Sequence, residues 1–240
     1  MEKKTLEKVD KIFTTKLIID EIYQKGSLKY IPIDFPEIVV TDKETEKAPV
    51  KQDAEPGIAV TGTKDKVDLV YTGFFYEDIR NPRYLLDFFS HFPNEYVLHM
   101  AGGGCEDIIK EYKRTLCDRL VIHGTVSAED ARALRDKADV LVNVNNTVSN
   151  QVPSKLFEYF ETGKPIINIC KTHECPSIAY TERYPACISI YEDEDPETAG
   201  KKAVSFIADK LGDTVSHGEV ERIFFENTDK CVADRIINAL

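Results

Sequence analysis

No apolar run in this chain approaches the ~20 residues that a membrane-spanning helix requires. The first residues, Met1-Glu-Lys-Lys-Thr-Leu-Glu-Lys8, mix charges and lack the apolar stretch of a signal peptide. The chain is therefore expected to stay in the cytoplasm, with peripheral membrane contact at most. Positive charge is in short supply: 31 Lys and Arg face 42 Asp and Glu, for a net charge of −11. That balance argues against nucleic acid as the main partner, because phosphate backbones are held by clustered Lys and Arg. The six cysteines form no C-x-x-C pair and sit mostly in apolar or helical patterns, as reduced structural thiols do, so no metal site is expected. Internal repeats and low-complexity tracts are absent as well.

What is present suffices for one full core, with 42% hydrophobic and 30% charged residues. Near the N-terminus, 9–13 reads as a strand, 16–25 as a helix closed by Gly26, and 30–36 as an extended segment. Residues 41–66 turn polar, with Pro49, Pro56, Gly57 and Gly62, and read as a linker or mobile loop. Beyond it, apolar runs at 67–73, 96–101, 119–122, 139–144, 165–170 and 186–190 alternate with helical patterns at 82–91, 105–115, 128–137, 154–162 and 176–183. That alternation predicts an α/β fold with a parallel, doubly wound sheet. Closing helices are expected at 199–211, 218–226 and 229–240, which assigns 67–240 to one domain. In the last of them Val232, Ile236, Ile237 and Leu240 are expected to form an exposed apolar stripe.

The most informative stretch is Asn150-Gln-Val-Pro-Ser-Lys-Leu-Phe-Glu-Tyr-Phe-Glu-Thr-Gly-Lys-Pro-Ile-Ile-Asn-Ile169. Pro153 suits the first helical position and Gly163 the left-handed position past the last turn, which sets a helix over 154–162. Leu156, Phe157 and Phe160 share one face, and Lys155, Glu158 and Thr162 another. A buried strand then follows at 166–169. The free N–H groups at such a helix start favour phosphate oxygens, and Glu158 can accept from two sugar hydroxyls.

This motif resembles the nucleotide-sugar-binding motif of GT-B glycosyltransferases, in the large retaining family that builds bacterial surface polysaccharides. Leu98-His-Met-Ala-Gly-Gly-Gly104, Leu120-Val-Ile-His-Gly-Thr-Val-Ser127 and Ala138-Asp-Val-Leu-Val-Asn143 resemble further strands and turns of its C-terminal, Rossmann-like domain. The likeness covers about 66 to 225 well and about 9 to 40 weakly. It implies a donor-binding domain preceded by a β-α-β remnant at 1–40 of an otherwise missing acceptor domain.

The resemblance implies roles residue by residue. Glu158 matches the second glutamate of the family's paired-glutamate motif, which binds the ribose. Asn150 replaces the first glutamate, so the donor-sugar contact loses its negative charge. Ser154 and Lys155 open the helix toward the diphosphate. Arg80 lies close to where the family places a basic residue that neutralises the leaving diphosphate, the catalytic role expected of it. A second basic residue expected near Phe74 is missing, and Arg83 or Lys155 is the candidate substitute. Gly124, Val126 and Ser127 belong to a loop whose backbone is expected to meet the nucleobase. Other features read more plainly. Gly102-Gly-Gly104 fits neither phosphate-binding glycine fingerprint and reads as a flexible turn. Asp193-Glu-Asp195 has the spacing of a metal-diphosphate motif but lies in an acidic helix entry. His99 and His123 have no Ser, Cys or carboxylate partner at motif spacing and read as core or edge histidines.

The implied function is the donor half of a glycosyltransferase that takes a nucleotide diphosphate sugar, without metal or other cofactor. A separate acceptor-domain chain, or a homo-oligomer through the C-terminal helix, would supply the acceptor surface. A non-catalytic nucleotide-sugar-binding module is the alternative, and a sugar-nucleotide epimerase of the same architecture a third.

Overall fold

The computed structural model describes residues 11–14, 30–33, 38–40, 66–147 and 152–240. The chain divides into two units, one drawn from 1–48 and 218–240, the other from 49–217.

The larger unit is a six-stranded parallel sheet of β3 (Val67–Thr72), β4 (Tyr96–Ala101), β5 (Leu120–Gly124), β6 (Val140–Val144), β7 (Ile166–Cys170) and β8 (Cys187–Tyr191), in the order β5-β4-β3-β6-β7-β8. Helices α1 (Arg83–Ser90), α2 (Glu106–Leu116), α3 (Ala128–Lys137), α4 (Lys155–Glu161) and α5 (Ile178–Thr181) cross between successive strands, and α6 (Pro196–Lys210) follows the last. The sheet is doubly wound, as the alternation predicts. Strands buried on both faces read as near-continuous apolar runs, which is why their positions were visible in the sequence.

The two faces differ in chemistry. On one, Leu69, Tyr71, Leu98, Met100, Val142, Ile167 and Ile190 pack with Leu85, Phe88 and Phe89 of α1 and with Ala203 and Ile207 of α6. On the other, the same strands carry Asp68, Thr72, His99, Asn143 and Asn168, all buried. Asn168 Oδ1 accepts from Asn143 and from Asn145, each at 2.7 Å, and its amide donates to Ser177 Oγ at 3.2 Å. The parallel register sets Asn143 beside Asn168 and Asn168 beside Ser189, so this polar row is a product of strand order. Helices α3, α4 and α5 cover this face.

Turn chemistry follows the sequence. Gly163 has φ +73, and a Cβ there would lie 2.3 Å from the carbonyl oxygen of Val215. Helix α4 is one residue shorter at each end than the 154–162 expectation, with Ser154 as its N-cap and Pro153 outside it. The three-glycine turn is packed rather than flexible. Gly102 (φ +138) faces the Gly73 carbonyl and Gly104 (φ +89) the Phe75 carbonyl, where added Cβ atoms would come within 1.7 and 2.0 Å. The glycines let the ends of β3 and β4 approach, with Gly73 N–H donating to Ala101 O and Phe75 N–H to Gly103 O, both at 2.8 Å.

In the smaller unit, β1 (Ile12–Thr14) pairs in parallel with β2 (Tyr30–Pro32). Ile38 is buried; its N–H donates to Asn227 O at 3.1 Å and its carbonyl accepts from Asp229 N–H at 3.0 Å. Helix α7 (His217–Ile223) leads to α8 (Asp229–Ala239), which is capped by Thr228 Oγ1 accepting from Cys231 N–H. Residues 218–240 thus group with the N-terminal segment. The expected apolar stripe on α8 is corrected. Val232 is buried and Ile236 half-buried, leaving Ile237 and Leu240 exposed. The helix expected at 16–25 and nearly all of the linker at 41–66 lie outside the described residues.

Candidate functional site

In a doubly wound sheet, ligands bind beyond the carboxyl ends of the strands where the winding reverses. Here successive strands run outward from β3 to β5 in one direction and from β6 to β8 in the other, so the reversal lies between β3 and β6. The carboxyl ends of these two strands are Thr72 and Val144, and four side chains meet around them.

Arg80 stands in the loop after β3. Its Nε and Nη2 donate to Asn146 Oδ1, just past β6, at 3.1 and 2.6 Å. Its Nη1 lies 3.5 Å from where a Cβ on Gly73 would stand, and the Tyr71 hydroxyl lies 2.9 Å from the same point. Burial pushes that hydroxyl far above the ordinary tyrosine value, and the guanidinium only partly offsets it. Lys155, the first residue of α4, reaches back to the Thr72 carbonyl at 3.3 Å. Burial lowers its pKa; the Glu158 charge opposes this, while Arg135 and Arg80 add to it. The charges of Glu158, Arg135 and Arg80 are thus all close enough to act on the Lys155 ammonium.

Helix α4 is held in place by its buried face. Leu156, Phe157, Tyr159 and Phe160 are all buried, and the Tyr159 hydroxyl meets both the backbone N–H and the hydroxyl of Thr72, at 3.2 and 3.1 Å. This leaves Glu158 41% exposed in its side chain, with Oε2 paired to Arg135 Nη2 of α3 at 2.9 Å. Ser154 makes no capping hydrogen bond.

Of the sequence candidates, the structure brings Arg80, Lys155 and Glu158 together. Between the two possible substitutes for the missing basic residue, Lys155 lies at the crevice, whereas Arg83 pairs with exposed Glu111 at 3.8 Å. Gly124 has φ +69 with open space beside it, but its carbonyl already accepts from Gly102 N–H at 2.7 Å. Ser127 caps α3: its hydroxyl accepts from Asp130 N–H at 3.0 Å and donates to Asp130 Oδ2 at 2.8 Å. Thr125 is exposed and Val126 half-buried. Asn150 lies outside the described residues.

The sequence reading passed over Arg135, Tyr159, Tyr71 and Asn146. A signal existed for Arg135: it continues the Ala131, Leu134, Ala138 stripe of its helix, where an inward residue is expected. His99 is a buried core histidine, as its strand position leads one to expect. It has a carboxylate partner, Asp68 Oδ1 at 3.1 Å from Nε2, and its Nδ1 meets His123 Nε2 at 3.0 Å. These partners come from neighbouring strands and leave no spacing in the sequence. Asp195 caps α6 by accepting from Thr198 N–H at 2.9 Å, in keeping with a helix entry. Among the described residues, no group of three or more His, Cys, Asp and Glu side chains is placed to hold a metal ion. No helix among them is long and apolar enough to cross a membrane.

Residues 66–209 match the family profile described as glycosyl transferases, group 1. No curated protein matches the chain. Among solved structures, it is similar to the lipopolysaccharide outer core galactosyltransferase WaaB in its apo form, with TM-score 0.62 and 16% identity over 96% of this chain and 61% of that one. A sucrose-phosphate synthase from Thermosynechococcus elongatus gives TM-score 0.61 and 16% identity, over 99% and 59%. HepE of Anabaena, in complex with UDP, gives TM-score 0.53 and 14% identity, over 72% and 49%. The chain thus spans 61% or less of the length of these relatives.

Proposed function

The chain belongs to the group 1 glycosyl transferases, and from that premise we propose that its crevice between β3 and β6 binds a nucleotide diphosphate sugar as glycosyl donor. The reaction is transfer to a glycan or lipid-linked acceptor with retention at the anomeric carbon. One observation carries the reading: in a chain of net charge −11, Arg80 and Lys155 converge at the point where the sheet reverses. A cation pair in that setting favours a polyanion.

The roles follow from charge and reach. As the glycosidic bond to the diphosphate breaks, negative charge grows on the departing oxygen, and Arg80 and Lys155 stabilise it from fixed positions. Asn146 keeps the guanidinium aimed at the crevice, so little reorganisation is needed when the bond breaks. Glu158 accepts from the ribose hydroxyls. The backbone of Thr125 and Val126, beside Gly124 and Ser127, borders the base, and the sequence offers Asn150, a neutral residue, in place of the family's sugar-binding glutamate. The N–H groups of Ser154 and Lys155 add a smaller contribution, because a helix as short as α4 has little dipole behind them. No metal is invoked. Transfer further needs an acceptor hydroxyl held in near-attack geometry at the anomeric carbon, a surface that a separate acceptor-domain chain or a second copy would provide.

A second reading is nucleotide-sugar binding without turnover. Asn150 favours it, since it stands where the family carries a glutamate. Mass spectrometry separates the two: the purified chain is incubated with UDP-, GDP- and ADP-sugars, with and without glycan and lipid-linked acceptors. Acceptor-dependent release of nucleoside diphosphate, with a glycosylated product, supports transfer. Donor binding with no product from any acceptor supports the binding module. UDP-sugars come first, because the HepE structure is a complex with UDP.

A further inference from the structure

We infer that Arg135 is the positioning residue of the ribose-binding carboxylate: it fixes Glu158 across the α3–α4 contact so that the site selects ribose over deoxyribose nucleotides. This rests on the reading of Glu158 as a ribose ligand.

The two partners differ in environment. Arg135 is 9% exposed, on the inward stripe of α3, and the Glu158 side chain is 41% exposed. A buried guanidinium is a poor choice for stability alone, because desolvation offsets most of the attraction it gains, and an apolar residue of similar volume serves the packing as well. What a rigid, planar cation contributes is direction. A lone glutamate on a helix surface samples several rotamers, and ordering it opposes ligand binding. Arg135 orders it beforehand.

The hydrogen-bond capacity fits. An ionised carboxylate offers about four lone-pair positions. Arg135 uses one, on Oε2, at 2.9 Å. Enough acceptor capacity remains for two ribose hydroxyls approaching from the exposed side.

A second consequence concerns Lys155. It lies three residues before Glu158 on α4, within reach of an i,i+3 ion pair. In the structure Glu158 pairs with Arg135, while Lys155 points to the Thr72 carbonyl. Without Arg135, Glu158 is free to swing to Lys155 and take its charge away from the diphosphate. Arg135 therefore keeps the anion and the cation of the site apart, each for its own part of the nucleotide.

Calorimetry on the full chain tests this. UDP, GDP and ADP are titrated first, and the tightest is then compared with its 2′,3′-dideoxy analogue. The wild type should prefer the ribonucleotide by about tenfold, the size expected for hydrogen bonds to a charged group. Glu158→Gln should abolish most of that preference, and Arg135→Met should cut it to about threefold or less. The double variant should lose no more than Glu158→Gln alone, since Arg135 acts through Glu158. Should Arg135→Met fail to fold by circular dichroism, Arg135→Gln carries the same comparison. An arginine variant that keeps the wild-type preference, while Glu158→Gln has lost it, overturns the role of Arg135 and leaves the ribose reading standing. A wild type with no ribose preference, or a preference that survives Glu158→Gln, overturns the ribose reading and the inference with it. A merely structural Arg135 would lower stability without moving the ratio.

Discussion

At the scale of residues, the site depends on which cations the fold turns inward. Lys155 and Arg83 are equivalent candidates in the sequence, yet one reaches the Thr72 carbonyl and the other pairs with Glu111 on the surface. Lys155→Ala should therefore weaken nucleoside diphosphate binding by about 1–3 kcal/mol, the worth of a hydrogen bond to a charged group. Arg83→Ala should leave it nearly unchanged, as exposed ion pairs contribute little. Isothermal titration of both variants checks the contrast. The histidines show where sequence reading ends. His99 and His123 gave no motif, because Asp68, His99 and His123 meet only once β3, β4 and β5 lie side by side. Burial, and then the neighbouring His99, lowers the pKa of His123 in the folded chain. Below the ordinary value near 6.5, the unfolded chain takes up a proton that the folded one declines. The stability contributed above that value is lost as pH falls through the lowered one. Urea midpoints measured between about pH 7.5 and 5.5 should fall more steeply for wild type than for His123→Gln; equal slopes would contradict the assignment.

At the scale of elements, strands and helices were legible because they follow hydrophobic period and punctuation. Gly163 is a case where chemistry alone fixed the place: only a residue without a Cβ fits φ +73 against the Val215 carbonyl. The glycines at 102–104 were visible too, but their purpose was not. A sequence shows that a turn is free to bend and does not show what presses against it. Gly102→Ala should cost about 3 kcal/mol or more, since its Cβ would meet the Gly73 carbonyl at 1.7 Å on a backbone with φ +138. Thermal unfolding measures this, with Gly218→Ala as a control where nothing lies within 4 Å. The asparagine row escaped notice for the same reason as the histidines. Asn143 and Asn168 each interrupt an apolar run, and only the register that sets them side by side makes them partners.

At the scale of the whole molecule, the charge distribution is the strongest functional statement. A chain with 42 acidic and 31 basic residues gathers Arg80, Lys155 and the paired Arg135 at one crevice. Partly buried charges escape much of the screening that weakens exposed ones. Nucleoside diphosphate affinity should nevertheless fall as salt rises from about 0.05 to 0.5 M, because the ligand approaches through solvent. Affinity for the parent nucleoside, which lacks the phosphates, should stay nearly constant over the same range. Salt-independent diphosphate binding would point away from the cationic crevice. Calorimetric titration of UDP, GDP and ADP into the folded chain, repeated with Arg80→Ala, decides whether this crevice is a donor site. Saturable binding of one nucleotide, weakened by about 1–3 kcal/mol in the variant, is the predicted result. No binding by any of the three, or binding indifferent to Arg80, would contradict it.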